Sequence, residues 1–229
     1  MEYLRRLTGN QMKIIGLAAM TCDHLGYMFF PDVMLLRIIG RLAMPLFAWM
    51  IAEGCAYTRD RRRYLLQLAL LSLLCQVVYF VTTGSLFMCI IVTFTLSVLL
   101  IYALDHLRKE KSATAALHAL LSVALVITAT VIIPALPTGT NFDVDYGLWG
   151  VLLAVGIYFG RNHREKLLLA ALLLVLLAAD KGGVQWWSLL TLALLSAYNG
   201  QRGKGRMKWL FYFYYPLHLA ALQGIAYLL

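Results

Sequence analysis

The sequence is short of charge. Only 14% of its 229 residues are Asp, Glu, Lys or Arg, while 62% are hydrophobic; a soluble domain is about a quarter charged and about half apolar. Acidic side chains are the scarcer kind, 11 against 20 basic, which leaves a formal net charge of +9. Other absences narrow the reading. No Gly/Ser or Pro-rich linker divides the chain, so a single integral-membrane domain over residues 1–229 is expected. There is no internal repeat, Gly-rich phosphate loop, HExxH or CxxC. The four cysteines, Cys22, Cys55, Cys75 and Cys89, lie in or at the ends of apolar runs without metal-ligand spacing. They read as small packing residues, and no metal site is expected. The N-terminus is basic, but no small-residue cleavage site follows the first apolar run, which is therefore read as part of the mature chain.

What is present is apolar length. Nine runs stand out, at about 12–30, 34–55, 64–82, 86–104, 114–134, 146–160, 166–179, 185–198 and 208–228. The expected fold is all-α, a polytopic transmembrane helical bundle of about nine spans. The basic residues fall on alternate loops: Arg5, Arg6 and Lys13; Arg59 and Arg61–Arg63; Arg108, Lys109 and Lys111; Arg161, Arg164 and Lys166; Arg202, Lys204, Arg206 and Lys208. That puts 17 of 20 on one side and only Lys181 on the other, with Arg37 and Arg41 inside the second run. The positive-inside rule places the N-terminus in the cytoplasm and the C-terminus outside. Charge arranged this way orients the chain in a bilayer and gives no reason to expect nucleic acid. The runs at 146–160 and 166–179 are short and call for tilt or local thinning. Asp180–Gly183 reads as an outer loop, with Trp186 and Trp187 at an interfacial aromatic belt.

Several ionisable residues sit inside these runs. Asp23 and His24 lie in the first, Arg37, Arg41 and Glu53 in the second. A charge in hydrocarbon costs about 2.5–3.5 kcal/mol on insertion scales, so such residues mark a site more often than a scaffold. Asp23 lies ten residues beyond Lys13, roughly 15 Å and near mid-bilayer at 1.5 Å per residue. The second run descends from Pro31-Asp32, so Arg37 and Arg41, four apart on one helix face, lie in its outer half. A short turn makes the first two helices antiparallel neighbours, and Asp23 or His24 can reach Arg41. His24 is then the group suited to general-base or nucleophilic work near neutrality.

Other polar residues converge at similar depths. Tyr215 and His218 lie mid-way along the last run, beside the helix-breaking Pro216. Asp145-Tyr146 opens the sixth run at the outer face, and Gln76 lies in the third. At the inner face Glu53, Tyr57, Arg59 and Arg63 form one group, and Asn199 precedes the basic stretch 202–208. A cationic rim of this kind suits a phosphate-bearing donor.

The motifs D-H, R-I-I-G-R-L-A-M-P-L-F-A-W-M-I-A-E-G, Y-T-R-D-R-R-R-Y-L-L, D-Y-G-L-W-G-V-L-L and F-Y-F-Y-Y-P-L-H-L, in this order, resemble the TraX family nearly end to end. Matching positions are Asp23, His24, Arg37, Gly40, Arg41, Pro45, Glu53, Gly54, Arg59, Asp145, Tyr146, Gly147, Tyr215, Pro216 and His218. The resemblance implies a bacterial inner-membrane protein akin to the membrane acyltransferase-3 group, with acetyl-CoA as donor. The type member acetylates conjugative pilin, so the implied acceptor is a pilin-like peptide, a glycan or a small molecule. On this reading His24, Asp23, Arg41, Arg37, His218 and Tyr215 are catalytic. Glu53, Tyr57, Arg59, Arg63 and Asn199 face the CoA, and Asp145 and Tyr146 face the acceptor. A proton-coupled transporter or flippase, with Asp23, His24 and His218 as relay, is the alternative. So is an accessory subunit of a conjugation or secretion apparatus.

Overall fold

The structure, a computed structural model, describes residues 6–137, 139–205 and 208–228; Arg5 and Arg206 of the charge pattern lie outside these. Among the described residues every extended regular element is helical. In chain order they are α1 (Gly9–Met28), α2 (Met34–Gly40), α3 (Ala43–Tyr57), α4 (Arg61–Thr83), α5 (Ile90–Glu110), α6 (Ala113–Ile127), α7 (Ile133–Ala135), α8 (Gly147–Phe159), α9 (His163–Lys181), α10 (Thr191–Ser196) and α11 (Lys208–Leu228). A π-helical turn, Thr128–Ile132, joins α6 to α7, and a 3₁₀ helix, Gly183–Leu190, leads into α10. The nine apolar runs fall largely in helices, although residues 86–89 of the fourth precede α5 and much of the eighth is 3₁₀. One boundary differs from expectation: α9 continues through Asp180 and Lys181, and only Gly182, at φ +66°, ends it. The two charged residues are the solvated last turn of the helix rather than loop.

Among the described residues four segments are long and apolar enough to cross a membrane: Met34–Tyr57, Arg61–Thr83, Ile90–Glu110 and Ala113–Ala135. At 1.5 Å per residue even the 21-residue one reaches roughly 31 Å, the thickness of a hydrocarbon core. The outward side of α4 is apolar, with Leu66, Leu70, Leu73, Leu74, Val77, Val78 and Val81 all exposed. Water would not tolerate such a face on a soluble monomer, whereas lipid is its matching solvent. The chain is a membrane protein.

Two compact units divide it. One comprises residues 1–50 and 170–229. Here α1 begins with a capping box: Thr8 accepts from the Gln11 backbone, and the Gln11 side chain accepts from the Thr8 backbone. α1 packs on α2 and α11, and the 3₁₀ helix packs on α2. Residues 197–202 are stitched to the start of α1 by Leu7 N to Ala197 O (2.9 Å), Asn199 N to Leu7 O (2.9 Å) and Gly9 N to Gln201 O (2.7 Å). The second apolar run is not one helix. Pro45 has no N–H for the Arg41 carbonyl, and the turn tightens, with Leu42 N bonding Ile39 O at 3.1 Å. Arg41 and Leu42 therefore form a break between α2 and α3.

The other unit, residues 51–169, is built around α5, against which α4, α6 and α8 pack. Val98, Leu100, Ile101, Val126 and Val151 are buried in its core. Ser97 on α5 donates to Val151 O on α8 at 3.0 Å. The loops 84–89 and 141–146 pair through Met88 N to Asp143 O (2.7 Å) and Asp145 N to Met88 O (3.0 Å). Gln76 serves the same loop: its amide donates to Phe87 O at 3.0 Å and accepts from Cys89 N at 3.3 Å.

Candidate active site

Asp23, on the second-last turn of α1, is gripped by two arginines. Arg41 Nη2 sits 2.5 Å from its carboxylate and Arg37 Nη1 2.9 Å, and Arg37 also donates to the Asp23 carbonyl at 3.1 Å. Their four-residue spacing puts both guanidiniums on one side of α2, and the break after Gly40 leaves Arg41 at the helix end, aimed back at α1. Gly40 makes the approach possible, because a Cβ there would overlap the Asp23 side chain. Arg41 Nη1 donates in addition to Gln185 Oε1 at 3.3 Å. Arg37 also lies over the Tyr27 ring, at 5.4 Å. Two positive charges against one negative leave the cluster cationic. Gly40→Ala should push α2 off Asp23 and lower thermal stability by about 1–3 kcal/mol, the usual cost of overpacking. A melting temperature like that of the unaltered protein would refute the close approach.

His24 lies one residue on, and its ring is held from elsewhere. Nδ1 is 2.9 Å from Met20 O and 3.2 Å from His218 Nε2. His218 Nδ1 is in turn 2.8 Å from Tyr214 O. A carbonyl accepts only, so each neutral imidazole carries its proton on Nδ1. His218 Nε2 is then an acceptor toward His24 Nδ1–H, and the His24 lone pair is on Nε2. Around the pair, Tyr214 stacks on His218 at 5.3 Å and Tyr215 meets it edge-on at 5.7 Å. Tyr214 is fixed by a 2.7 Å hydroxyl–hydroxyl bond to Thr21. Beside His218, α11 carries an apolar depression lined by Leu210, Phe213, Tyr214 and Leu217.

The other expected residues belong to the second unit, except Asn199. Glu53 is paired with Lys166 at 3.1 Å, both largely buried. Tyr57 is exposed, as are Arg59 and Arg63. Arg61 is bound at 2.6 Å to Asp105, which also holds Lys109 at 2.9 Å, and its guanidinium covers the Tyr102 ring at 5.0 Å. Asp145 and Tyr146 form the turn into α8: Tyr146 has φ +60° and Gly147 φ +55°. Left-handed backbone costs a non-glycine residue roughly 1–2 kcal/mol, so this turn is held by its surroundings. Thr93 donates to the Asp145 carbonyl at 2.6 Å. Asn199 Oδ1 accepts from Gln201 N at 2.9 Å and shapes the loop that meets α1. Among the described residues no three His, Cys, Asp or Glu side chains gather as a metal ion would require.

The model of the family described as TraX protein matches residues 8–226, nearly the whole chain. The chain belongs to the TraX family. It is also similar to the probable fimbrial assembly protein FimC, serogroup H1, of Dichelobacter nodosus, 28% identical over 247 residues and 93% of each chain. An uncharacterized protein of Rickettsia prowazekii (strain Madrid E) is 31% identical over 77 residues, 33% of this chain and 31% of that one. No solved structure matches. Within this TraX chain the structure adds partners that spacing did not reveal: Gln185 beside Arg41, Thr21 and Tyr214 beside His218, and Lys166 on Glu53. Tyr214 and His218 are four apart on α11, a helical signal the sequence did carry.

Proposed function

We propose that this TraX protein is a membrane-embedded acetyltransferase of the bacterial inner membrane, moving an acetyl group from acetyl-CoA to an amine or hydroxyl. The observation that carries the reading is the lone pair on His24 Nε2, a base set one residue from a cationic Asp23–Arg37–Arg41 cluster. Nε2 takes the proton of the acceptor amine as its nitrogen bonds to the thioester carbon. The carbonyl oxygen becomes negative in the field of Arg41 and Arg37, where electrostatic stabilisation outweighs other contributions to catalysis. The C–S bond then breaks, and the CoA sulfur receives the proton from the His24 imidazolium. The products are an acetylated amine and free CoA. The CoA phosphates would meet the exposed Arg202 and Lys204 of the loop that Asn199 shapes, while Glu53, Tyr57, Arg59 and Arg63, in the second unit, are assigned to the donor by the family resemblance alone. Asp145 and Tyr146, also in the second unit, are assigned to the acceptor by the family resemblance alone. The fimbrial-assembly name of the Dichelobacter relative favours a pilin-like peptide as that acceptor.

The test is purified protein in detergent with acetyl-CoA and a pilin-like N-terminal peptide. Release of CoA thiol together with a gain of about 42 Da, one acetyl group, is expected. The contact between His24 and His218 also suits a proton relay in a transporter. Proton movement into proteoliposomes with no acetylated product from any acceptor would establish that reading in place of the enzyme. The orientation follows from the basic loops, with the N-terminus in the cytoplasm. A reporter fused after Lys111 should read cytoplasmic and one near Thr140 external; the reverse would invert every depth assigned above.

A further inference from the structure

The 3₁₀ helix has three residues per turn, so Gln185, Ser188 and Thr191 stand in one row, roughly 6 Å apart at a 2.0 Å rise. All three are buried, at 4%, 0% and 0% exposed. Gln185 Nε2, Ser188 Oγ and Thr191 Oγ1 nevertheless have no hydrogen-bond partner among the described residues. Elsewhere in this chain buried helical hydroxyls turn back onto their own helix: Ser72 to Ala69 O, Ser97 to Thr93 O, Ser122 to His118 O and Thr130 to Val126 O. The row does not, and buried polar groups in proteins are almost always satisfied by something.

The two ends of the row say what that something resembles. At the upper end Gln185 Oε1 accepts from Arg41, next to the Asp23 cluster. Below Thr191, α10 leads to residues 199–205, whose Arg202 and Lys204 are exposed. That loop is pinned under α1 by Asn10 N to Arg202 O (2.9 Å) and Asn10 Nδ2 to Lys204 O (2.8 Å). From Gln185 to the end of α10 the rise is roughly 20 Å. A ligand that fits has several amides or hydroxyls in series, an anionic end toward the basic loop and a reactive carbonyl toward Arg41. We propose that Gln185, Ser188 and Thr191 seat the amide-bearing pantetheine arm of the acyl donor. The proposal rests on the acetyl-transfer reading and assigns the side chains that guide the thioester to the base. Gln185 Nε2 donates to an arm carbonyl, and the two hydroxyls serve its amide N–H and hydroxyl groups.

The experiment measures equilibrium binding of CoA, and of ADP as a nucleotide without the arm, to full-length protein in detergent. Gln185→Leu, Ser188→Ala and Thr191→Val should each weaken CoA binding roughly three- to tenfold, the worth of one hydrogen bond, and leave ADP binding unchanged. Because Ser188 Oγ and Thr191 Oγ1 have no hydrogen-bond partner among the described residues, Ser188→Ala with Thr191→Val should not lower the melting temperature measured without ligand. A lower melting temperature would make the row structural and overturn the proposal. So would CoA affinity unchanged in the triple variant, or wild-type protein that binds CoA no more tightly than ADP. The two readings separate cleanly. Row-dependent CoA binding without acetyl transfer keeps the seat and removes the enzyme; acetyl transfer with row-independent CoA binding does the reverse.

Discussion

His24→Ala is expected to lower acetyl transfer by about 10²–10⁴-fold, the usual worth of general-base assistance, while leaving folded yield and melting temperature nearly intact. The separation follows from the geometry. The ring spends Nδ1 on Met20 and His218 and carries its lone pair on Nε2. Its removal leaves one acceptor, His218 Nε2, without its donor, a loss of about 1 kcal/mol. The charged cluster is untouched, because Asp23 keeps both arginines. The measurement is CoA thiol release at saturating acetyl-CoA, alongside thermal melting in the same detergent. Normal turnover in the alanine variant would take His24 out of the mechanism.

The second large effect concerns Asp23, and it should be lopsided. Asp23→Asn leaves two guanidiniums facing each other in a low-dielectric setting without their counter-charge; breaking a buried pair costs roughly 3–5 kcal/mol. Arg41→Gln removes one cation, and Arg37 keeps Asp23 paired at 2.9 Å. The aspartate variant should therefore lose most of its folded yield and the arginine variant much less. Combining them should recover part of the loss of Asp23→Asn, since one of two opposed cations is gone. Fluorescence-detected size exclusion and melting curves across the four proteins give the coupling. Simple addition of the two losses would mean that Asp23 and Arg41 are not partners.

The Asp23–Arg41 pair was readable from sequence because a turn of a few residues fixes the helices it joins as antiparallel neighbours. Depth along each helix then follows from counting residues. Helical segments were readable for a similar reason, since length and apolarity alone decide what a bilayer accepts. The contact of His24 with His218 was not readable by counting, for the residues are 194 apart in sequence and no local rule sets which distant helices meet. Depth and family likeness put both histidines among the candidates, but the hydrogen bonds that set which ring nitrogen keeps its lone pair exist only in three dimensions. Gln185 escaped because its row repeats every three residues, a 3₁₀ period hidden in a run whose paired tryptophans suggest an interfacial belt. Lys166 was counted as an orienting charge, and the Gly160 turn brings it instead onto Glu53: a Cβ at Gly160 would lie only 2.9 Å from Lys166 N. Pro45 stands in an apolar run long enough to look like one helix, and its missing N–H makes the break that aims Arg41.

The separations of these contacts also set an order of birth. Asp23 finds Arg41 only 18 residues later in the chain, so the charges can neutralise one another as soon as the first hairpin enters the bilayer. His218 joins His24 only when the last helix arrives, with ribosomes adding about 5–20 residues per second. Until α11 arrives the nascent protein thus holds its Asp23–Arg37–Arg41 cluster, while His24 lacks its contact with His218. A chain that stops before α11 would keep the charged cluster and the Met20 contact of His24, and would lack the imidazole that meets His24 Nδ1.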